Sequence, residues 1–262
     1  MNKKYLSFLI LFLFICAYGF AQFKISAGAG GLTGGDYNGG NNFIIDLSQI
    51  SPDVNFIDYS VSLKNPYFGG GGFIFADFVY AEAAVAFFAG SGDQELIVSM
   101  EGESISFKRK YIYTSLNFSL FGKYPFKINE KLSIFPLLGI DYQLILNMKD
   151  SSGKKFEGIL MPAILQTMLG SGVYFSDGII LSGNPIDFSS LWFKLGGGAD
   201  FFINNNFFIR FSALYGIRLR NNMERKMADR IELLSLISGY DVKNEFRLGH
   251  GLTIKIAAGY KF

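Results

Sequence analysis

The stretch from His250 to Phe262, "HGLTIKIAAGYKF", alternates strictly. Leu252, Ile254, Ile256, Ala258 and Tyr260 fall on one face, and Thr253, Lys255, Ala257, Gly259 and Lys261 on the other. A period of two marks a strand whose faces meet different environments. The pattern recurs in seven further segments, at 22–32, 67–76, 79–90, 113–126, 132–146, 190–203 and 207–220. In 113–126, Leu116, Phe118, Leu120 and Tyr124 oppose Ser115, Asn117, Ser119 and Lys123; in 132–146, Ile140, Tyr142 and Leu144 oppose Asp141 and Gln143. Only the glycine run 69–72 blurs the parity of its segment.

The links between segments separate into two classes. Those around Asp77, at 127–131 and at 204–206 are short; those near 33–66, 91–112, 147–189 and 221–249 are long. Short turns at one end and long loops at the other describe an up-and-down membrane barrel. The expected fold is all-β, a transmembrane antiparallel barrel of eight strands, with ten as the competing count. Both termini then lie on the short-turn, periplasmic side. An open sheet is excluded in lipid, where each unpaired backbone group costs several kcal/mol and closure removes the edges. A soluble lipocalin-like barrel would show the same parity with its apolar face inward. Strand length, aromatic load and the terminal Phe262 favour the membrane.

Composition agrees. Half of the 262 residues are hydrophobic, with 29 Phe, 14 Tyr and 31 Gly. This hydropathy does not come from a helical span. The most apolar internal stretch, 73–90, carries Asp77 and Glu82, both costly in lipid. From Tyr80 it too reads with period two, placing Tyr80, Glu82, Ala84, Ala86 and Phe88 on one face. Aromatic residues suit the membrane–water boundaries, and Phe207, Tyr124, Tyr260 and Phe262 are expected in the girdle at the periplasmic side. A single Cys excludes a disulfide framework.

Residues 1–21 read as a secretory signal peptide, with Lys3 and Lys4 before an apolar run from Leu6 to Ile15. Cleavage is expected between Ala21 and Gln22, leaving 22–262 as the barrel domain. An uncleaved anchor is disfavoured, because the run is shorter than the roughly 20 residues of a span. Lipidation at Cys16 is disfavoured by Ile15 before it. Cleavage lowers the basic count from 24 to 22, equal to the 22 acidic residues. Charge therefore argues for neither a nucleic-acid nor an acidic partner, and no nucleic-acid partner is expected.

Alternation running into a terminal "GYKF" resembles the assembly signal of outer-membrane barrels. The phrases "SLFGKYPF", "FPLLGIDYQ", "KLGGGADFF", "LYGIRL" and "GHGLTIKIAAGYKF" resemble small eight-stranded outer-membrane barrels of the OmpW/OmpX kind, spirochaetal members among them. The resemblance implies integral insertion in the outer membrane of a diderm bacterium. It also implies contact with lipid and with the barrel-assembly machinery, which would read Ile256, Ala258, Tyr260 and Phe262.

The inward face carries Lys24, Lys123, Asp141, Lys194, Asp200, Arg210, Arg218 and Lys255. An eight-stranded barrel is narrow enough for its own side chains to fill. The candidate interior network is Glu82, Lys123, Asp141, Asp200, Arg210 and Lys255, expected as mutually satisfied ion pairs. A turn at Asn204–Asn206 that pairs Ile203 with Phe207 places Asp200 opposite Arg210. Closing the preceding hairpin as Phe126 with Leu132 places Asn117 opposite Asp141.

Other motifs carry little. "GAGGLTGG" at 28–35 lacks the Lys-Ser/Thr of a phosphate loop. Asp36, Asp46, Asp53 and Asp58 fit no compact calcium loop and read as solvated charge. His250, the sole histidine, reads as an outward rim residue. No catalytic residue, metal ligand or cofactor is expected, and the chain reads as no enzyme. Two long loops are apolar. The first reading is that these loops fold over each other and cap the barrel; the sharper one is that in 156–175, Phe156, Met161, Leu165 and Met168 form a candidate site for a small hydrophobic molecule. In 221–239, Met227, Ile231 and Leu234 recur at helical spacing. The expected function is passive uptake or binding of small hydrophobic molecules; the alternative is a surface presented to an extracellular protein partner.

Overall fold

The computed structural model describes residues 25–37, 40–46, 58–64, 66–100, 103–150, 153, 189–221, 241–247 and 249–262. The signal-peptide cleavage position, Cys16, Lys24, the candidate loop site at Phe156–Met168 and the expected helical stretch at 227–234 lie outside them. The described chain forms strands β1 (Ser26–Asp36), β2 (Gly40–Asp46), β3 (Asp58–Lys64), β4 (Tyr67–Asp77), β5 (Ala81–Met100) and β6 (Glu103–Lys123). They are followed by β7 (Phe126–Lys127), β8 (Leu132–Asp150), β9 (Ser190–Phe202), β10 (Phe207–Asn221), β11 (Asp241–Arg247) and β12 (Gly249–Lys261).

Eight of these strands close antiparallel in the cyclic order β1–β4–β5–β6–β8–β9–β10–β12 and back to β1. They correspond to the eight segments of alternation. The closing seam pairs Ser26 with Lys261 through to Asp36 with Gly251. Strands β11, β2 and β3 continue the sheet outward from the far end of β5, where Tyr59 faces Met100 and Lys64 faces Glu95.

The outward face is apolar. Ile74, Phe87, Leu120, Ile140, Phe211 and Ile256 are all exposed. Among the described residues, the inward face carries ten buried charges, five acidic and five basic: Asp36, Asp77, Glu82, Asp141, Asp200, Lys123, Lys194, Arg210, Arg218 and Lys255. A soluble barrel buries its apolar face, whereas this one displays it and buries its charges. Lipid is the solvent that makes such an arrangement stable.

The short turns are built from local hydrogen bonds. Between β9 and β10, Asn204 Oδ1 accepts from the backbone N–H of Asn206 at 2.9 Å and of Phe207 at 2.7 Å. This is the side-chain capping that suits Asn to tight turns. The Ile203 amide donates to the Phe207 carbonyl at 2.9 Å, so this hairpin closes in the expected register. The β4–β5 turn spans only Phe78–Tyr80 and forces Val79 to φ 59°, a left-handed conformation that β-branched residues rarely adopt.

Several expectations need correction. The links 33–66 and 221–249, read as loops, contain β2, β3 and β11. Tyr80, expected on the face it shares with Glu82, is exposed and stacks on Tyr124. Among the described residues the first strand runs over Ser26–Asp36, past the expected end at 32. The expected loop at 91–112 is instead a continuous β5–β6 hairpin, paired from Ala81↔Gly122 out to Met100↔Glu103; its outer part continues past the ends of the β4 and β8 pairings, at Gly92 and Tyr111. The β6–β8 register is shifted by two residues, so Ser119, not Asn117, faces Asp141. Pro125, with no N–H to donate, follows the end of β6, and the hairpin then closes through β7 as Phe126↔Ile134. Finally, Asp36 is not solvated charge. It is 1% exposed and accepts from Arg218 Nη1 at 2.9 Å.

Candidate functional site

The lumen is layered. At the short-turn end, Arg210 on β10 forms a floor. Its Nε and Nη2 donate to Asp200 Oδ1 and Oδ2 at 2.6 and 2.7 Å, in a bidentate pair. Its Nη1 donates to Glu82 Oε2 at 2.7 Å, and Nη2 also reaches Asp77 Oδ2. Lys123 on β6 bonds the same Asp77 oxygen. Phe75, Phe135 and Phe208 lie 4.8–5.2 Å from the guanidinium, which adds cation–π attraction and excludes water. One arginine thus ties β4, β5, β9 and β10 together across the lumen. A planar fork of five donors suits this task, and a lysine in its place would lack the geometry.

The middle layer holds Lys194, Asp141 and Lys255. Lys194 Nζ pairs with Asp141 Oδ2 and donates to Thr253 Oγ1 at 3.1 Å. Ser119 Oγ donates to Asp141 Oδ1 at 2.8 Å. Lys255 Nζ sits 4.9 Å from the Phe121 ring and 5.2 Å from the Phe73 ring. A cavity of about 30 Å³ opens here, with Asn117, Trp192, Thr253 and Lys255 among its lining residues. It has room for roughly two water molecules.

Above it the lumen becomes aromatic. Tyr67 and Tyr113 meet edge to face at 5.2 Å, Phe88 stacks on Tyr113 at 6.0 Å, and Tyr111 lies 6.1 Å from Tyr113. Ile145 and Met148 are buried against the same cluster. The single tryptophan, Trp192, donates from Nε1 to Ser190 Oγ at 2.9 Å, and Arg218 lies over its ring at 5.8 Å.

All six candidate interior residues face the lumen and are buried. Asp200 and Arg210 stand directly opposite, as the turn geometry required. Glu82 and Lys123 belong to the same floor, joined through Arg210 and Asp77. Asp141 has its ion pair with Lys194. Lys255 has none among the described residues, although a partner was expected for it. Asp77 escaped the sequence reading because it closes β4 beside a turn, where a carboxylate usually meets solvent. Asp36 escaped because a glycine-rich strand gives little side-chain parity to read. The upper tyrosines escaped because Tyr67 and Tyr113 open expected strands and Tyr111 falls in an expected loop. The signal that could have found them is the short run Tyr111–Ile112–Tyr113, whose outward Ile112 carries the alternation of β6 past that boundary.

The aromatic girdle forms as expected at the short-turn end. Phe207 and Tyr260 meet at 4.9 Å, Tyr260 and Phe262 at 5.2 Å, and Tyr80 stacks on Tyr124 at 5.8 Å. Ile256 and Ala258 point outward with Tyr260. His250 faces outward near the long-loop end, its Nδ1 2.5 Å from the Tyr215 hydroxyl.

These features define a class, the closed transmembrane β-barrel with a charged, side-chain-filled lumen. No family model matches the chain, and no curated protein matches it. Among solved structures, the chain is similar to the outer membrane protein OprG from Pseudomonas aeruginosa, at 10% identity over 93% of this chain and 98% of that one, with a TM-score of 0.42. It is also similar to Ail, the attachment invasion locus protein of Yersinia pestis, at 14% identity over 91% and 99%, with a TM-score of 0.31. A third is the outer membrane protease OmpT from Escherichia coli, at 8% identity over 91% and 97%, with a TM-score of 0.29. The expectation that the chain is no enzyme is withdrawn: a protease stands among these barrels. A wall of strands fixes the fold and leaves the rim free to carry chemistry.

Proposed function

We propose that the protein is an integral outer-membrane barrel that takes small hydrophobic molecules into the long-loop end of its lumen and does not serve as a general water-filled pore. The observation that carries this reading is the contrast along the lumen axis. A packed aromatic layer of Tyr67, Phe88, Tyr111 and Tyr113, with a small cavity beside Tyr67 and Phe88, lies above a floor tied shut by Arg210. A molecule descending from the loops meets apolar rings first and an ion-paired floor afterwards. The Met- and Leu-rich loop sequence around Phe156, Met161, Leu165 and Met168 adds adaptable apolar side chains, of the kind that suits varied ligands. An aqueous porin needs about 16 strands, twice the number here.

Both termini are assigned to the periplasmic side, with the girdle residues Tyr260 and Phe262 read by the assembly machinery. Deleting Phe262, or Tyr260→Asp, then reduces the heat-modifiable, membrane-inserted barrel. Normal insertion of both variants removes the assembly role. For binding, Trp192 is a built-in probe. Energy transfer from Trp192 to N-phenyl-1-naphthylamine is expected to saturate, and Met161→Asp or Tyr111→Ala is expected to weaken it. Planar bilayers should show little steady conductance. Large ohmic steps, or no saturable transfer, contradict the proposal.

A second reading has its own support. The sheet β11–β2–β3–β5–β6 extends past the barrel, a platform suited to a protein partner through strand addition. Binding of cell-surface protein without probe uptake selects it.

A further inference from the structure

Among the described residues, Lys255 is the only buried cation without a carboxylate partner. Lys123 has Asp77, Lys194 has Asp141, Arg218 has Asp36, and Arg210 has three acids. The charges that act most strongly on Lys255 include Glu82, Lys194, Asp141 and Arg210. Both acids are already committed, Glu82 to Arg210 at 2.7 Å and Asp141 to Lys194 and Ser119. The Lys255 ammonium instead faces two aromatic rings and the cavity.

Several donors around that cavity are left over. Asn117 lines the cavity, and its Oδ1 accepts from Ser115 Oγ at 3.0 Å, which leaves its amide N–H groups available to donate. Thr253 Oγ1 accepts from Lys194, which leaves its own O–H to donate. Lys255 contributes only donors. The one carboxylate on the cavity wall, Asp141, accepts bonds at both oxygens. Lys194, Lys255 and Asp141 together leave this layer with one excess positive charge. A buried, solvent-poor ammonium without a counter-charge is costly.

We propose that the cavity binds one monovalent anion of halide size, held by Lys255 with Asn117 and Thr253 as neutral donors and Lys194 as a second nearby charge. The net positive charge of this layer selects an anion over a cation, and a volume of about 30 Å³ limits its size. The floor below carries three acids against two bases, so an anion arriving from the long-loop end stops at Lys255 and does not pass through. The site is a resting place for an ion at the foot of the aromatic layer, whose Tyr67 and Phe88 also line the cavity.

Crystals of the full chain grown in sodium bromide test this directly. A bromine anomalous peak is expected in the cavity beside Lys255. Its absence, with only ordered water there, overturns the site, as does a peak confined to the protein surface. In micelles, the urea midpoint of the folded barrel should be higher in sodium chloride than in sodium gluconate at equal ionic strength. Equal midpoints overturn the proposal and leave Glu82 as the through-space counter-charge of Lys255. Lys255→Met should lower halide affinity about tenfold or more, as loss of charged hydrogen bonds implies. Thr253→Val, which keeps the ammonium, should weaken it less; should Lys255→Met fail to fold, an unchanged halide response in Thr253→Val counts against the site.

Discussion

The two ends of the lumen solve the same problem differently. At the short-turn end, Arg210 engages four carboxylate oxygens on three residues from three other strands, and rings pack around it. At the long-loop end, the described contacts are longer. Arg218 meets Asp36, Tyr67 donates to Gln143 Oε1 at 3.1 Å, and the buried Tyr113 hydroxyl has no hydrogen-bond partner among the described residues. The floor is cross-linked, while the upper lumen is merely filled. The lesson is that a narrow barrel needs one rigid layer to close it, and can leave the rest of its interior adaptable.

The largest effect expected from breaking this contrast is at Arg210. Arg210→Met leaves Asp77, Glu82 and Asp200 facing one another with only Lys123 among them. A loss of about 3–5 kcal/mol is expected, as for one partner removed from a buried ion pair. The urea midpoint of the barrel refolded in micelles measures it. Arg218→Met should cost less, because Arg218 meets Asp36 through a bond at 2.9 Å, whereas Arg210 engages four carboxylate oxygens. Exchanging Asp200 and Arg210 restores that one pair but not the bonds to Glu82 and Asp77, so it should recover only part of the loss. Equal losses at Arg210 and Arg218 would remove the distinction between the layers.

A smaller effect separates loose filling from a tight wall. A Cβ on Gly71 would run into the Phe87 carbonyl, whereas one on Gly72 has its nearest neighbour, the Gly30 carbonyl, at 3.6 Å. Gly71→Ala should cost about 1–3 kcal/mol through overpacking, and Gly72→Ala little; the same titration reports both. At the floor's own turn, Val79→Asn should stabilise the barrel by about 1 kcal/mol, because Asn tolerates the left-handed conformation better than a β-branched residue. The smallest change is in the upper lumen. Tyr113→Phe removes a buried hydroxyl left unsatisfied by the described residues, so stability should hold or rise by up to about 1 kcal/mol. A clear loss there would reveal a hydrogen bond made by that hydroxyl.

Strand parity was legible because lipid and lumen demand opposite chemistry on alternate residues, as at Ile140, Asp141 and Tyr142. The Asp200–Arg210 pair was legible because a short Asn turn fixes register. The neighbouring hairpin slipped by two residues because its turn is wider and Pro125 interrupts the strand before it. The outer half of β5 and β6 was read as loop because, outside the membrane, both faces of a strand can be polar and alternation loses its meaning. The central role of Arg210 could not be read from sequence at all. It depends on Asp77 and Glu82, more than a hundred residues away, arriving at one height when the sheet closes.

The seam between β1 and β12 has a consequence in time. It joins Ser26 to Lys261 and Asp36 to Gly251, contacts separated by most of the chain. No earlier set of strands can complete the cylinder, and pairings this distant in sequence form slowly. Until β12 arrives, the nascent sheet has two open edges and an apolar face, the features that lead partly folded chains to aggregate. The journey of this protein is therefore governed by what shields those edges while the chain waits, and the final closure is a single late event that commits every strand at once.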